Sequence, residues 1–364
     1  MKSICFFTYN LTFGGAEKVV VYLANYFALK GMEVTLLTVS EGNDLQEAIN
    51  PEIKIVCLNK DKIINAIPSL IKFLKTNHVD NFVANIWPLT VVSSCIRLVS
   101  LKTKLLFIEH CNLSEEFRNQ SVIFRFAQTA SIRLFYRFAH EVIAVSAGVK
   151  EDLVKKGVKE SKVSVIYNPL EELKGSRTIE STKNIEKWIN SKDKKLISVG
   201  ELKKQKNFPN LIKALGILQK KYSIKLQLLI LGDGPERKNI EKEISRQKLE
   251  GILFLPGWVN DPVPYLYLAD LFVLPSDYEG FGVVITEALS TGLNVVSTNC
   301  KSGPSEILKD GELGYLCRVN DPDDLAKSIN EALNNPLDKE KLIARANDFS
   351  IENIGKLYEE KLNH

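Results

Sequence analysis

The segment Ser276-Asp277-Tyr278-Glu279-Gly280-Phe281-Gly282-Val283-Val284-Ile285-Thr286-Glu287-Ala288 decides how the rest of the chain is read. It follows a short, wholly apolar run, Leu271–Leu274, and its glycines open a helix that the pattern starts near Phe281. Strand, glycine turn and helix in that order make one βα unit, with the helix N-terminus at the strand's carboxyl end. A helix end carries roughly +0.5 charge, so the N–H groups of Phe281, Gly282 and Val283 are expected to meet an anion there. Two carboxylates, Glu279 and Glu287, lie eight residues apart on either side of that turn. Each can accept two hydroxyls at once. A capping acid plus a surface acid is the plainer reading, and the glycine context argues against it.

Outward from this segment the same unit recurs. Ser3–Thr8, Glu33–Thr38, Lys104–Ile108, Val142–Val145 and Val163–Ile166 are short apolar runs, followed after a gap by Lys195–Val199, Gln227–Leu231, Ile252–Leu255 and Asn294–Ser297. None alternates polar with apolar residues, which marks strands buried on both faces of a parallel sheet. Helical stretches such as Ala16–Lys30 and Phe208–Lys220 separate them. The fold class expected is α/β, with two doubly wound, Rossmann-like domains and ligands at the carboxyl ends of the strands in a cleft between them. Residues 1–168 form the first domain and 195–349 the second. Between them, 169–194 is rich in Lys, Glu, Ser and Asn and reads as a linker with a short surface helix.

Length and composition agree. The 364 residues, 45% hydrophobic and 25% charged, suit two globular domains and exclude disordered or fibrous architectures. No apolar run reaches the ~18–20 residues of a membrane span, and Lys2–Tyr9 reads as a strand instead of a signal peptide. Six scattered cysteines without a CxxC pair support neither zinc nor a disulfide framework, so a reduced, cytoplasmic chain is expected. A net charge of +4 is too small for nucleic-acid binding. Residues 1–168 carry 20 basic against 15 acidic side chains and the remainder 28 against 29, so an anionic surface or ligand is expected at the first half.

Other segments carry weaker chemistry. Gly14-Gly15-Ala16-Glu17 sits between a strand and a helix, where the backbone can approach an anion, or where the chain simply turns. The loop Gly200-Glu201-Leu202-Lys203-Lys204-Gln205-Lys206-Asn207 sets lysines beside a glycine turn, suiting a phosphate or plain solvent. Gly232-Asp233-Gly234 ends a strand as a turn, and Gly257-Trp258-Val259 offers a base something to stack on, or an indole to the domain edge.

Together with Val145-Ser146-Ala147-Gly148 and Tyr167-Asn168-Pro169, these segments, in this order, resemble family 4 of the retaining glycosyltransferases, of GT-B architecture, along essentially the whole chain. The Glu-x7-Glu element is the specific part. The resemblance implies a second domain holding a nucleotide-sugar, UDP-linked, and a first domain holding the acceptor, joined by a returning last helix at about 350–364. It assigns the donor-sugar hydroxyls to Glu279, the ribose to Glu287, the donor phosphates to Lys206 and a place near the reacting carbon to His110. Gly14, Gly15, Gly200, Gly232, Trp258, Val259, Phe281, Gly282 and Val283 complete the donor-binding set. His78, His140 and His364 have no such placement, and a lone histidine is more often structural.

One departure stands out. The family has an arginine where this chain has Glu201. A carboxylate about 6 Å from a phosphate at an effective dielectric near 20 would be repelled by roughly 3 kcal/mol. Glu201 is therefore expected to turn away and pair with a nearby lysine, leaving Lys206, with Lys203, on the diphosphate.

The activity implied is retaining transfer of a hexose or N-acetylhexosamine to a growing, lipid-linked bacterial surface glycan (lipopolysaccharide, O-antigen, capsule or N-glycan precursor), with no cofactor and no metal. Asp321-Pro-Asp323 forms a D-x-D string but reads as the start of a helix Asp323–Asn334. Residues Phe117–Phe138 are expected to place Phe117, Ile123, Phe124, Leu134, Phe135 and Phe138 on one helical face and Arg118, Arg125, Arg133 and Arg137 on another, with a break near 119–121 or 130–131. Such a stripe suits either the core or the anionic cytoplasmic face of the inner membrane. Two other classes remain: another GT-B enzyme, such as an inverting transferase or nucleotide-sugar epimerase, and a non-catalytic nucleotide-sugar-binding protein.

Overall fold

The computed structural model describes residues 2–12, 14–42, 44–171, 179 and 182–363. The chain divides into two compact units, Met1–Glu171 with Phe349–His364, and Glu172–Asp348.

Strands β1 (Ser3–Thr8), β2 (Glu33–Thr38), β3 (Lys54–Cys57), β4 (Asn81–Asn85), β5 (Lys104–Glu109), β6 (Glu141–Ala144) and β7 (Val163–Val165) build the first unit's sheet, in the order β3-β2-β1-β4-β5-β6-β7. The second unit has β8 (Lys194–Val199), β9 (Leu226–Leu231), β10 (Leu253–Gly257), β11 (Leu271–Leu274), β12 (Val295–Thr298) and β13 (Tyr315–Cys317), in the order β10-β9-β8-β11-β12-β13. All neighbouring pairs in both sheets are parallel. Each unit is thus doubly wound, as the apolar runs require, and the chain reverses direction across the sheet between β1 and β4 and between β8 and β11.

Three strands lack a clear sequence signal. The edge strands β3 and β13 have four and three residues, so their apolar runs, Ile55–Cys57 and Tyr315–Cys317, are too short to mark them. The central β4 is fully buried, but asparagines at both ends disguise it as a turn. Asn85 keeps its amide satisfied by donating to the carbonyl of Phe7, 3.3 Å away.

Helices cover the sheets through single apolar faces. In the second unit, Phe208–Tyr222 buries Leu211, Ile212, Leu215 and Leu218 beside Leu325 and Ile329 of the helix Pro322–Asn334. Each such side chain contributes about 1.5–3 kcal/mol relative to an exposed one. Asp321 caps Pro322–Asn334 by accepting from the amide of Asp324, which gives the D-x-D string the capping role its sequence indicates. The last helix, Ile351–Asn363, returns to the first unit and packs on Gly15–Leu29, where the Tyr26 hydroxyl donates to Glu359 at 2.8 Å.

Two expectations need correction. Lys183–Ile189 is not a surface helix: Ile185 and Trp188 are buried and it packs against β9 and β10, because two apolar residues three apart suffice to anchor two turns. Residues 172–178, 180 and 181 of the expected linker lie outside the described residues. Phe117–Phe138 does break near 119–121, one of the two places expected, but its parts share no single apolar face. Ser121 caps a new helix, Val122–Phe135, after Leu113–Glu116, and a 3₁₀ turn, Tyr136–Phe138, follows. Phe117 and Phe124 turn onto the ring of Trp87, whereas Ile123 points outward.

The loops that follow β8 and β9 interlock through their backbones. Leu202 donates its N–H to the carbonyl of Asp233 at 2.9 Å, and Glu236 donates to the carbonyl of Leu202 at 2.8 Å. Gly232 makes this possible: its φ is +150°, and a Cβ there would fall 2.0 Å from the Gly200 carbonyl oxygen. Gly232→Ala should therefore cost about 2 kcal/mol or more, read as a lowered unfolding temperature. A variant as stable as the wild type would show that the two loops can part freely.

Candidate active site

In the second unit the segment Ser276–Ala288 leaves β11 at the point where the strand order reverses, beside the loop that leaves β8. The two loops are pinned together. Asp277 donates its N–H to the carbonyl of Gln205 at 2.8 Å, and the Gln205 amide donates to the carbonyl of Tyr278 at 2.8 Å. Asn207, in the left-handed conformation, donates to Asp277 Oδ1 at 2.7 Å. Lys206 closes the arrangement: its Nζ lies 2.6 Å from Glu279 Oε1, with both side chains nearly buried. A buried ammonium and carboxylate are tolerated only in such a pair. The stem of Lys206 lies against Gly200, its Cε 3.1 Å from where a Cβ would stand.

Glu201 turns to Lys203, 3.4 Å away at the exposed surface, so the acid absent from the family pattern is neutralised locally. Lys203 is thereby committed to Glu201, and Lys206 is the loop's lysine that stands at Glu279.

The helix after Glu279 starts at Val283, two residues later than its sequence suggests. Gly282 is its N-cap, with φ at +95°, and Phe281 precedes it with a buried ring. Of Phe281, Gly282 and Val283, only Val283 stands in the first turn, where unpaired N–H groups gather. Glu287 is half-buried in the second turn of the same helix. Trp258 follows β10 directly and leaves 41% of its surface exposed, while the neighbouring Val259 is buried. Gly200, Gly232 and Trp258 thus all stand at the carboxyl ends of β8, β9 and β10, on the edge of the sheet that carries Glu279.

The first unit presents Gly14, Gly15 and His110 at the carboxyl ends of β1 and β5. Gly15 begins the helix Gly15–Leu29 and a side chain there would meet nothing within 4 Å. Gly14 is covered, since a Cβ would fall 2.0 Å from Glu17 Oε2. His110 Nε2 lies 3.3 Å from Asn85 Oδ1. The Asn85 amide nitrogen already donates to Phe7, so Oδ1 faces the ring and Nε2 carries the proton. Burial pushes the imidazole down to about 4, against the opposing pull of Asn168, and His110 is neutral near pH 7.

Next to it is a residue to which the sequence assigned nothing. Glu109 is fully buried and accepts from the Tyr136 hydroxyl, from Thr90 Oγ1 at 3.3 Å and from the Trp87 amide at 3.3 Å. Burial pushes its carboxyl up to about 7, and these donors pull it back. An acid at the end of an apolar run is the available signal, and it is the same signal a solvent-facing strand end gives.

Glu109 holds its proton in the folded chain up to about pH 7 and loses it near 4.3 when unfolded. Between those values the folded state binds the extra proton, so this residue lowers stability as pH rises. Glu109→Gln should gain on the wild type by about 3 kcal/mol from pH 4.5 to 7, measured by urea unfolding at intervals of pH. Parallel curves for the two proteins would refute a buried, protonated Glu109. His110 acts with the opposite sign, its neutral form losing stability as pH falls from about 6.5 toward 4.

Comparison with known proteins places this geometry. The family model described as Glycosyltransferase Family 4 matches residues 13–172, and that described as Glycosyl transferases group 1 matches 180–349. An N-acetylgalactosaminyltransferase of Campylobacter jejuni acting on a diphospho-undecaprenol-linked glycan is 29% identical over 92% of this chain and 90% of its own. A glycosyltransferase of Haemophilus influenzae is 27% identical over 97% of this chain and 98% of its own. Among solved structures, Anabaena HepE in complex with UDP and glucose superposes with a TM-score of 0.81 at 21% identity, covering 100% of both chains. The chain belongs to the family 4 glycosyltransferases of GT-B architecture and is a glycosyltransferase.

Proposed function

We propose that this enzyme transfers a hexose or N-acetylhexosamine, with retention, from a UDP-sugar to a growing, lipid-linked bacterial surface glycan. The observation that carries the proposal is the buried Lys206–Glu279 pair at the strand-order reversal of the second unit. Glu279 offers hydroxyl acceptors beside an ammonium that still has two protons to give a diphosphate. Glu287, one turn into the next helix, takes the ribose, and Trp258 offers an exposed indole to the base. Gly14, Gly15 and the neutral His110 complete the proposed set in the first unit, His110 as a hydrogen-bonding ring and not as a cation.

In the proposed step an acceptor hydroxyl attacks the anomeric carbon as the bond to the diphosphate oxygen breaks. The departing phosphate takes the hydroxyl's proton and leaves on the face from which the acceptor arrives. Lys206 and the first turn of Val283–Ser290 stabilise the charge that gathers on it, work worth roughly 3–4 kcal/mol per well-placed donor. No metal or cofactor takes part in this proposal. The printed names of relatives support the acceptor class: the Campylobacter enzyme acts on an undecaprenyl diphosphate glycan, and a 27% identical Escherichia coli relative over 57% of this chain is a lipopolysaccharide 1,6-galactosyltransferase.

The acceptor's lipid also accounts for the surface of the first unit. Val122, Ile123 and Phe126 are at least 75% exposed on one helix, and Arg125, Arg133 and Arg137 lie along the same segment. Apolar side chains flanked by arginines fit an anionic membrane, each basic residue adding about 1 kcal/mol near such a surface. No helix among the described residues is long and apolar enough to cross a membrane. We place the enzyme at the cytoplasmic face of the inner membrane on this surface alone.

Thermal stabilisation by a panel of UDP- and GDP-sugars tests the donor, since a bound ligand raises stability by RT ln(1+[L]/Kd). Glu287→Ala should weaken UDP binding, whereas Glu279→Ala and Lys206→Ala should lower turnover, the latter by about a hundredfold. Glu201→Ala should leave donor affinity nearly unchanged. Calorimetry with UDP decides: equal loss of affinity in the Glu287 and Glu279 variants would sink the assignment. For the membrane, replacing Arg125, Arg133 and Arg137 together by Gln should abolish most binding to anionic vesicles at low salt. A wild-type protein that ignores such vesicles ends that part of the proposal.

A further inference from the structure

Glu279 is held by more than Lys206. Ser276, completely buried three residues earlier, donates its hydroxyl to the same oxygen, Oε1, at 2.6 Å. Its own carbonyl accepts from Thr298 Oγ1 at 2.5 Å, which ties it to the end of β12. A carboxylate oxygen has two lone pairs, and Lys206 and Ser276 together occupy both on Oε1. Oε2 has no hydrogen-bond partner among the described residues and is the oxygen left for a substrate hydroxyl.

We infer that Ser276 is a positioning residue for the transfer reaction: it shares Glu279 Oε1 with Lys206, and thereby presents Oε2 to a hydroxyl of the donor sugar. This rests on the donor reading above and adds the division of labour between the two oxygens. Two features favour positioning over plain packing. A hydroxyl with no role would be replaced at no cost by a methyl in such a dry place, yet this one spends its single proton on a charged group. The bond also limits what Lys206 must do. With Ser276 sharing Oε1, Lys206 neutralises a carboxylate that is already oriented, and its ammonium can turn its remaining protons to the diphosphate. Without Ser276, the carboxylate is free to swing about the lysine and Oε2 loses its aim.

The experiment uses the full chain and two substitutions that keep the volume, Ser276→Ala and Ser276→Cys, the second a near-isostere whose S–H is a weak donor. UDP affinity is measured by calorimetry, and turnover with the sugar nucleotide that stabilises the wild type most in the donor panel is followed by release of UDP. Both variants should bind UDP within twofold of the wild type and turn over about tenfold more slowly, the usual effect of losing a hydrogen bond to a charged group. In a Glu279→Gln background, Ser276→Ala should add less than twofold, because the two residues act as one. A structural role would lower the unfolding temperature and leave turnover of the folded enzyme unchanged. Turnover within twofold of wild type, or a full tenfold loss that persists in the Glu279→Gln background, overturns the inference. If Glu279→Gln slows turnover and Ser276→Ala does not, Ser276 alone is wrongly assigned. If Glu279→Gln is itself without effect, or no sugar nucleotide stabilises the wild type, the donor reading falls and this inference with it.

Discussion

A buried ammonium and a buried carboxylate must find each other, and the second unit is arranged so that they do. Lys206 comes from the loop after β8 and Glu279 from the loop after β11, 73 residues apart in the chain. They meet because β8 and β11 are neighbours at the reversal of strand order, the one place where consecutive loops diverge and leave an opening. Everything around the pair serves to hold those loops at that separation. Asn207, Gln205 and Asp277 bind loop to loop, and Gly232 lets the loop after β9 press on the backbone of Gly200 from the other side. Removing one partner would leave the other charged and unsolvated, a cost of several kcal/mol that makes the pair self-enforcing.

The first unit handles charge in the opposite way. Glu109 is fully buried, His110 beside it is partly buried, and both are shifted so that they are uncharged in a common range of pH. The residues around Glu109 also connect the sheet to the surface. Trp87, whose amide binds Glu109, rests its ring on Phe117 and Phe124 and donates its indole N–H to Ser131. The Val122–Phe135 helix therefore takes its position from an aromatic cluster at the end of β4 and β5, and its remaining apolar side chains are left facing outward.

Glu201 shows how a departure from a family pattern is absorbed. The sequence places a carboxylate where a diphosphate is expected to sit, and simple Coulomb repulsion says it cannot stay there. The exposed pair with Lys203 resolves the conflict at little cost, since a surface ion pair is worth at most about 1 kcal/mol and either partner is free to move. Lys203 stands with Glu201, and Lys206 is the loop's lysine at Glu279.

How far the residues themselves reach can be judged element by element. Buried parallel strands need uninterrupted apolar runs, so β1, β2, β5, β8, β9, β11 and the doubly wound class were readable directly. The turn and helix that carry Glu279 and Glu287 were readable because their glycines leave a local mark. What escaped are features whose cause lies far away in the chain. β4 is a strand because β1 and β5 flank it, although its asparagines argue for a turn. Trp188 is buried because β9 and β10 lie over it, and the helix that carries Glu287 starts at Val283 because Gly282 adopts a left-handed conformation that one-dimensional pattern does not reveal. Glu109 became a neutral acid only when the fold buried it at the end of β5, against the pull of its donors Tyr136, Thr90 and Trp87. Local pattern determines which backbone conformations are cheap. Which charges are paired, which are neutralised and which oxygen of Glu279 stays free depend on contacts between residues tens of positions apart, and only the folded chain brings those together.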